Sequence, residues 1–152
     1  MGILSADMKR VITEQRLGFV ATVNADGTPN LSPKGTMMVR DDDSVMFAEI
    51  RSPGTVANLK RNPAAEINVV DPISRKGYRF KGRLRMVSPG DREYDELFEN
   101  FAGWGALAEK VNGVVILDVE RAQALTSPAY DIGATEQSLR QKWLDHYQAI
   151  QP

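Results

Sequence analysis

Between Tyr78 and Val87 the chain sorts its side chains with a period of two. Tyr78, Phe80, Leu84 and Met86 fall on one side, and Arg79, Lys81, Arg83 and Arg85 on the other. A helix cannot produce that separation; a strand with one buried and one solvated face does. Such a strand needs neighbours, and five further β-prone stretches supply them: Leu17–Val23, Pro29–Val39, Ser44–Ile50, Ala64–Val70 and Gly113–Val119. Asn24-Ala25-Asp26-Gly27-Thr28 has strong turn chemistry, since Gly27 takes a positive φ without steric cost, and Asp41-Asp42-Asp43 is a solvated turn. No regular strand–helix–strand rhythm runs through the series. The pattern predicts a mainly β chain, a six-stranded antiparallel barrel with helices at its periphery.

Four helices are expected around it. Leu4, Met8, Val11 and Ile12 share one helical face, with Ser5 placed to cap it and Arg16 and Gly18 to end it. Ser52 and Pro53 open a short helix that stops at Asn62-Pro63. Asp91–Phe101 is amphipathic, and the tail from Thr135 spaces Leu139, Trp143 and Tyr147 by four. Ala122–Ala134 reads as a loop. The length of 152 residues fits a single domain over 1–152, with a core over about 17–119 and a C-terminal loop and helix over 120–152.

Composition removes several functions. There is no cysteine, hence no disulfide framework, thiolate metal site or cysteine nucleophile, and His146 is the only histidine. No metal site is expected. A net charge of −1 argues against a protein that holds nucleic acid by bulk charge. No apolar run is long enough for a membrane span and no secretory signal is visible at the start, so a cytoplasmic protein is expected. Neither G-x-G-x-x-G nor a P-loop occurs.

Three constellations could carry chemistry. Arg51-Ser52-Pro53-Gly54-Thr55 places a cation and two hydroxyls at a helix N-terminus, where free N–H groups and the dipole favour a phosphate; the plain alternative is a capped helix beside a solvated arginine. Pro33-Lys34-Gly35-Thr36 puts a lysine and an open backbone on an irregular strand, which could equally be a protected sheet edge. The stripe Arg79, Lys81, Arg83, Arg85 could track single-stranded nucleic acid, but its aromatic neighbours Tyr78 and Phe80 lie on the opposite face, which favours a solvated surface. Trp104, between two glycines, is open to a ligand, whereas Tyr94, Phe98 and Phe101 read as core.

Taken in order, these segments resemble the pyridoxamine-5′-phosphate-oxidase-like family of FMN-binding split barrels. The resemblance runs from Leu17 to Val119 and rests on Phe19–Val23, Asp26–Pro29, Ser32-Pro33-Lys34-Gly35, Val45–Ala48, Ser52–Thr55, Asn58–Pro63 and Gly77–Gly82. It implies a homodimer with FMN between the subunits and a small-molecule substrate. By position, Lys34, Gly35 and Thr36 would line the flavin and phosphate side of the cleft, and Arg51, Ser52, Thr55 and Asn58 would hold the phosphate. Lys76, Tyr78 and Trp104 would reach the ligand from one subunit or the other. No catalytic residue is implied. The second strand and the short helix lack the basic motifs of the vitamin-forming oxidases, and the tail from Ser127 to Pro152 lacks their substrate-phosphate motif. The implied function is a flavin-dependent oxidoreductase acting on another small molecule. A non-catalytic flavin carrier or sensor, a deazaflavin or haem protein, and a barrel for single-stranded nucleic acid are the alternatives.

Overall fold

The computed structural model describes residues 2–152. Helix α1 (Ala6–Gln15) is capped by Ser5, whose hydroxyl accepts from the Met8 N–H, and ends at Arg16 in the left-handed region. Strands follow as β1 (Gly18–Val23), β2 (Pro29–Lys34), β3 (Met38–Val39) and β4 (Ser44–Glu49). Helix α2 (Pro53–Arg61) leads into β5 (Ala64–Asp71) and β6 (Lys76–Val87). Helix α3 (Tyr94–Phe98) and a 3₁₀ segment (Ala102–Lys110) precede β7 (Gly113–Thr126). A second 3₁₀ turn (Pro128–Ile132) and α4 (Glu136–Ala149) complete the chain. No helix among the described residues is long and apolar enough to cross a membrane.

All pairings are antiparallel, and the strands lie in the order β2-β1-β5-β6-β7-β4-β3. There are seven strands where the sequence predicts six, because the Pro29–Val39 stretch breaks at Gly35-Thr36 into two. That break shapes the molecule. β2 and β3 are opposite edges of the sheet, yet only residues 35–37 separate them. So short a connection reaches ~14 Å at most. The sheet must therefore curl until its edges nearly meet, giving a barrel with a seam.

The expected alternation holds in β4: Val45 and Phe47 point into the barrel, and Met46 and Ala48 point outward beneath α3 and the first 3₁₀ segment. β4 is buried along its whole length. The barrel core holds Val20, Phe47, Ile67, Phe80, Val115 and Leu117, with Val11 and Ile12 of α1 packed against it. A second apolar cluster gathers Tyr94, Leu97, Phe101 and Val114.

Two expectations are corrected. β7 does not end at Val119: it continues to Thr126, past a bulge at Glu120 where the register with β6 jumps between Lys81 and Gly82. The extra residue breaks the alternation on which strand reading depends. Gly82 is required there, since a Cβ would lie 1.9 Å from the Asp118 carbonyl oxygen. The predicted helix Asp91–Phe101 shortens to Tyr94–Phe98, and the chain continues as 3₁₀ turns kinked at Gly105 (φ 59°, ψ −134°), a conformation that suits glycine alone.

Candidate functional site

A cleft of about 800 Å³ opens at the seam. One wall comes from the end of β2 and the Gly35-Thr36 link, the floor from the end of β4, and the other wall from Trp104, Leu107 and Lys110 of the 3₁₀ segment with Asn112. The volume lies within the usual range for small-molecule and cofactor sites. Ile50, Trp104 and Leu107 give it an apolar face, and Lys34, Arg51 and Lys110 a cationic one.

Lys34 is the most informative of these residues. Its side chain is buried, at 7% exposure, with Nζ 5.6 Å from the centre of the Phe47 ring. Burial pushes the ammonium below the ordinary lysine range, and the charge of Glu49 opposes that shift. Among the described residues it has no ion-pair partner within 4 Å. A cation on a largely buried side chain with no carboxylate beside it depends on water or a ligand to answer its charge. At Gly35 an added Cβ would meet open space, so the backbone there is accessible to a ligand. Arg51 is exposed at the rim, one residue ahead of the N-cap of α2.

The other residues placed at the phosphate by sequence are committed to the fold. Thr36 Oγ1 accepts from the Ala48 N–H at 3.0 Å and donates to the Ala48 carbonyl at 3.3 Å, stitching the link to β4 in place of a ladder pair. Thr55, 1% exposed, accepts from Asn30 at 3.4 Å. Asn58 donates to Thr22 at 3.0 Å and Asn24 at 2.9 Å, and accepts from Arg61 at 2.8 Å, which pins α2 to β1. Ser52 occupies the N-cap position of α2 but does not cap it. Its hydroxyl donates to Glu49 Oε1 at 2.9 Å, and its N–H to the same oxygen at 2.6 Å. The N–H groups of Gly54 and Thr55 are thus left without a side-chain cap.

Lys76 and Tyr78 do not join this cleft within the chain. They line a second pocket, of about 160 Å³, with Asp7, Asp71, Glu136 and Arg140. There Lys76 pairs with Glu136 at 2.8 Å, and the Tyr78 hydroxyl donates to Asp7 at 2.5 Å. Three of the four stripe residues are also answered: Arg79 and Lys81 each lie 3.4 Å from Glu66, and Arg85 lies 2.6 Å from Glu93.

Sequence reasoning missed Glu49 and Asn112. Glu49 is 4% exposed. Besides its two bonds from Ser52, its Oε2 accepts from Asn112 Nδ2 at 3.0 Å, and its carbonyl accepts the Asn112 N–H at 2.7 Å. Burial alone would raise its carboxyl, but the hydrogen bonds from Asn112 and Ser52, with the Lys34 charge, hold it below the ordinary glutamate range. The available signal was a carboxylate closing the apolar run Val45–Ala48, two residues before Arg51 and three before Ser52.

Comparison with known proteins agrees with this fold. The sequence profile of the pyridoxamine 5′-phosphate oxidase family matches residues 4–126. Among solved structures, HupZ of Group A Streptococcus is 33% identical, over 81% of this chain and 94% of that one, with a TM-score of 0.68. An FMN-binding protein from Syntrophomonas wolfei shares the fold at 14% identity, over 79% and 84% of the two chains, with a TM-score of 0.64. An F420 reductase does so at 17% identity, over 78% and 98%, with a TM-score of 0.61. No curated protein matches the chain.

Proposed function

Because the chain belongs to the pyridoxamine 5′-phosphate oxidase-like FMN-binding family, we propose that the seam cleft holds FMN and that the protein is a flavin-dependent oxidoreductase acting on a small molecule. The observation that carries this reading is Lys34: a largely buried side chain that opens on the cleft, has no ion-pair partner among the described residues, and lies beside an apolar face. Lys34 and Arg51 would answer the phosphate, and Ile50, Trp104 and Leu107 would cover the ring. The flavin, when bound, supplies the redox chemistry, and the protein supplies binding, orientation and a water-poor setting. The active form is a homodimer, with the partner subunit closing the open side of the cleft.

The test is a visible absorption spectrum of the purified protein, followed by titration of apoprotein into FMN with fluorescence detection. Flavin bands retained at about one per subunit, or saturable quenching, support the reading (the bands are the cofactor's own). Absence of both, with retention of F420 instead, replaces FMN by a deazaflavin. Absence of both with no F420 retained overturns the flavin site. Steady-state oxidation of a reduced pyridine nucleotide with an acceptor then separates an enzyme from a carrier.

A further inference from the structure

Glu49 stands out because its carboxylate is almost wholly buried and yet placed between three parts of the cleft. It takes both donors of Ser52, the N–H and the hydroxyl, and so fixes the turn that carries Arg51. It takes the Asn112 side chain across the opening, while Asn112 Nδ2 also reaches the Ile50 carbonyl at 3.0 Å. By holding Ser52 it keeps that hydroxyl from capping α2, so the first-turn N–H groups stay available. Glu49 follows Phe47 by two residues on the same face of β4, and the Lys34 ammonium lies 5.6 Å from the Phe47 ring, so the carboxylate and the ammonium share that side of the strand beyond ion-pair distance. Asn112 and Arg51 are some sixty residues apart in the chain; the backbone of Glu49 and Ile50 already joins Asn112 to the end of β4, and the Glu49 carboxylate extends that link to the Ser52 turn.

We propose that Glu49 is the positioning residue of the cationic end of the cleft, tying the Arg51–Ser52 turn to Asn112 and supplying the fixed negative charge that balances Lys34. A purely packing role would be filled as well by an amide of the same shape. A charge and acceptor role would not, because glutamine keeps the volume, loses the field and turns one of the two oxygens that Ser52 and Asn112 use into a donor. The ligand arm of the test rests on the flavin reading given above; the lysine arm does not.

The experiment compares wild type, Glu49→Gln and Glu49→Asp. Titration of lysine side-chain methylenes by NMR in labelled protein should show Lys34 charged at pH 7 in wild type. In Glu49→Gln its titration should fall by about one pH unit, the scale of one nearby charge, with recovery in Glu49→Asp. FMN affinity should drop about tenfold in Glu49→Gln, equivalent to ~1.4 kcal/mol, while riboflavin, which lacks the phosphate, changes by no more than about twofold. A neutral Lys34 at pH 7 in wild type overturns the proposal without any variant. So does a Lys34 titration unmoved by Glu49→Gln, or equal damage from glutamine and aspartate. If wild type binds FMN and riboflavin alike, the phosphate reading of the cleft fails, and the Lys34 titration still decides the role of Glu49.

Discussion

The seam cleft and the pocket under α4 are both lined by lysine, arginine and carboxylate, but they use their charges differently. Under α4 the charges answer one another: Lys76 with Glu136, Arg140 with Asp71 at 3.1 Å and with Glu136 at 2.9 Å, and Arg10 with Asp7 at 2.7 Å. In the cleft Lys34 is buried without an ion-pair partner, and the only buried acid, Glu49, is saturated by hydrogen bonds from Ser52 and Asn112. The first pattern docks a helix. The second leaves Lys34 and Arg51 on the cleft without a carboxylate partner among the described residues. A charged cluster is therefore a candidate site for the valences it leaves open, not for the number of charges it contains.

The sharpest way to break this contrast is Lys34→Ala. Removing a charged hydrogen-bond donor to the phosphate should weaken FMN by about 2–3 kcal/mol. Fluorescence titration checks this, and unchanged affinity would sink the phosphate assignment. Leu139→Ala comes next. Leu139 is the one buried residue of α4, so the change should cost about 2 kcal/mol of stability, the low end for a buried leucine. It should leave FMN affinity within about twofold, because the two pockets share no residue. Chemical denaturation and flavin titration on one preparation measure both.

Acid separates the regions more gently. Glu49 and Asp71 are both held below their ordinary values. Their contribution is present in full above the unfolded carboxyl values, near 4, and disappears as the pH falls below them. Stability should thus drop below about pH 4, and Glu49→Gln should flatten the cleft's share of that drop. Urea midpoints between pH 6 and pH 3 report it; identical profiles would remove Glu49 from the account. The smallest effect is expected from Arg83→Ala on the outer stripe, with FMN affinity changed by less than about 0.5 kcal/mol, the usual limit for a surface substitution. A large loss there would mean that the stripe faces the ligand.

The strands were legible because a half-buried strand writes its two faces into alternate residues, as in Tyr78–Val87. The extension of β7 was hidden because one extra residue at Glu120 puts the pattern out of phase. Lys34, Gly35, Arg51 and Trp104 were legible as cleft residues since each has a local oddity: a lysine between proline and glycine, a cation before a helix start, an indole between glycines. The internal bonds of Thr36, Thr55 and Asn58 were not legible, because their partners, Ala48, Asn30 and Thr22, lie 12 to 36 residues away. No local pattern shows that a hydroxyl or amide is already committed. Glu49 was missed for the same reason, because a carboxylate reads as solvated until its distant partner Asn112 is known.

The strand order has a consequence for how the molecule is made. Hairpins β1–β2, β3–β4 and β5–β6 join chain neighbours, but β6–β7 pairs Val87 with Val114 across α3 and the 3₁₀ segment, β1–β5 pairs Val20 with Ile67 and β4–β7 pairs Phe47 with Val115. Local pairings pay little loop entropy and form early, whereas these three must close long loops first. Lys34 and Arg51 meet Trp104 and Asn112 only after the β4–β7 closure. The cleft is therefore born late in folding, and a ligand seated in it would act on the finished barrel rather than on the hairpins from which it is assembled.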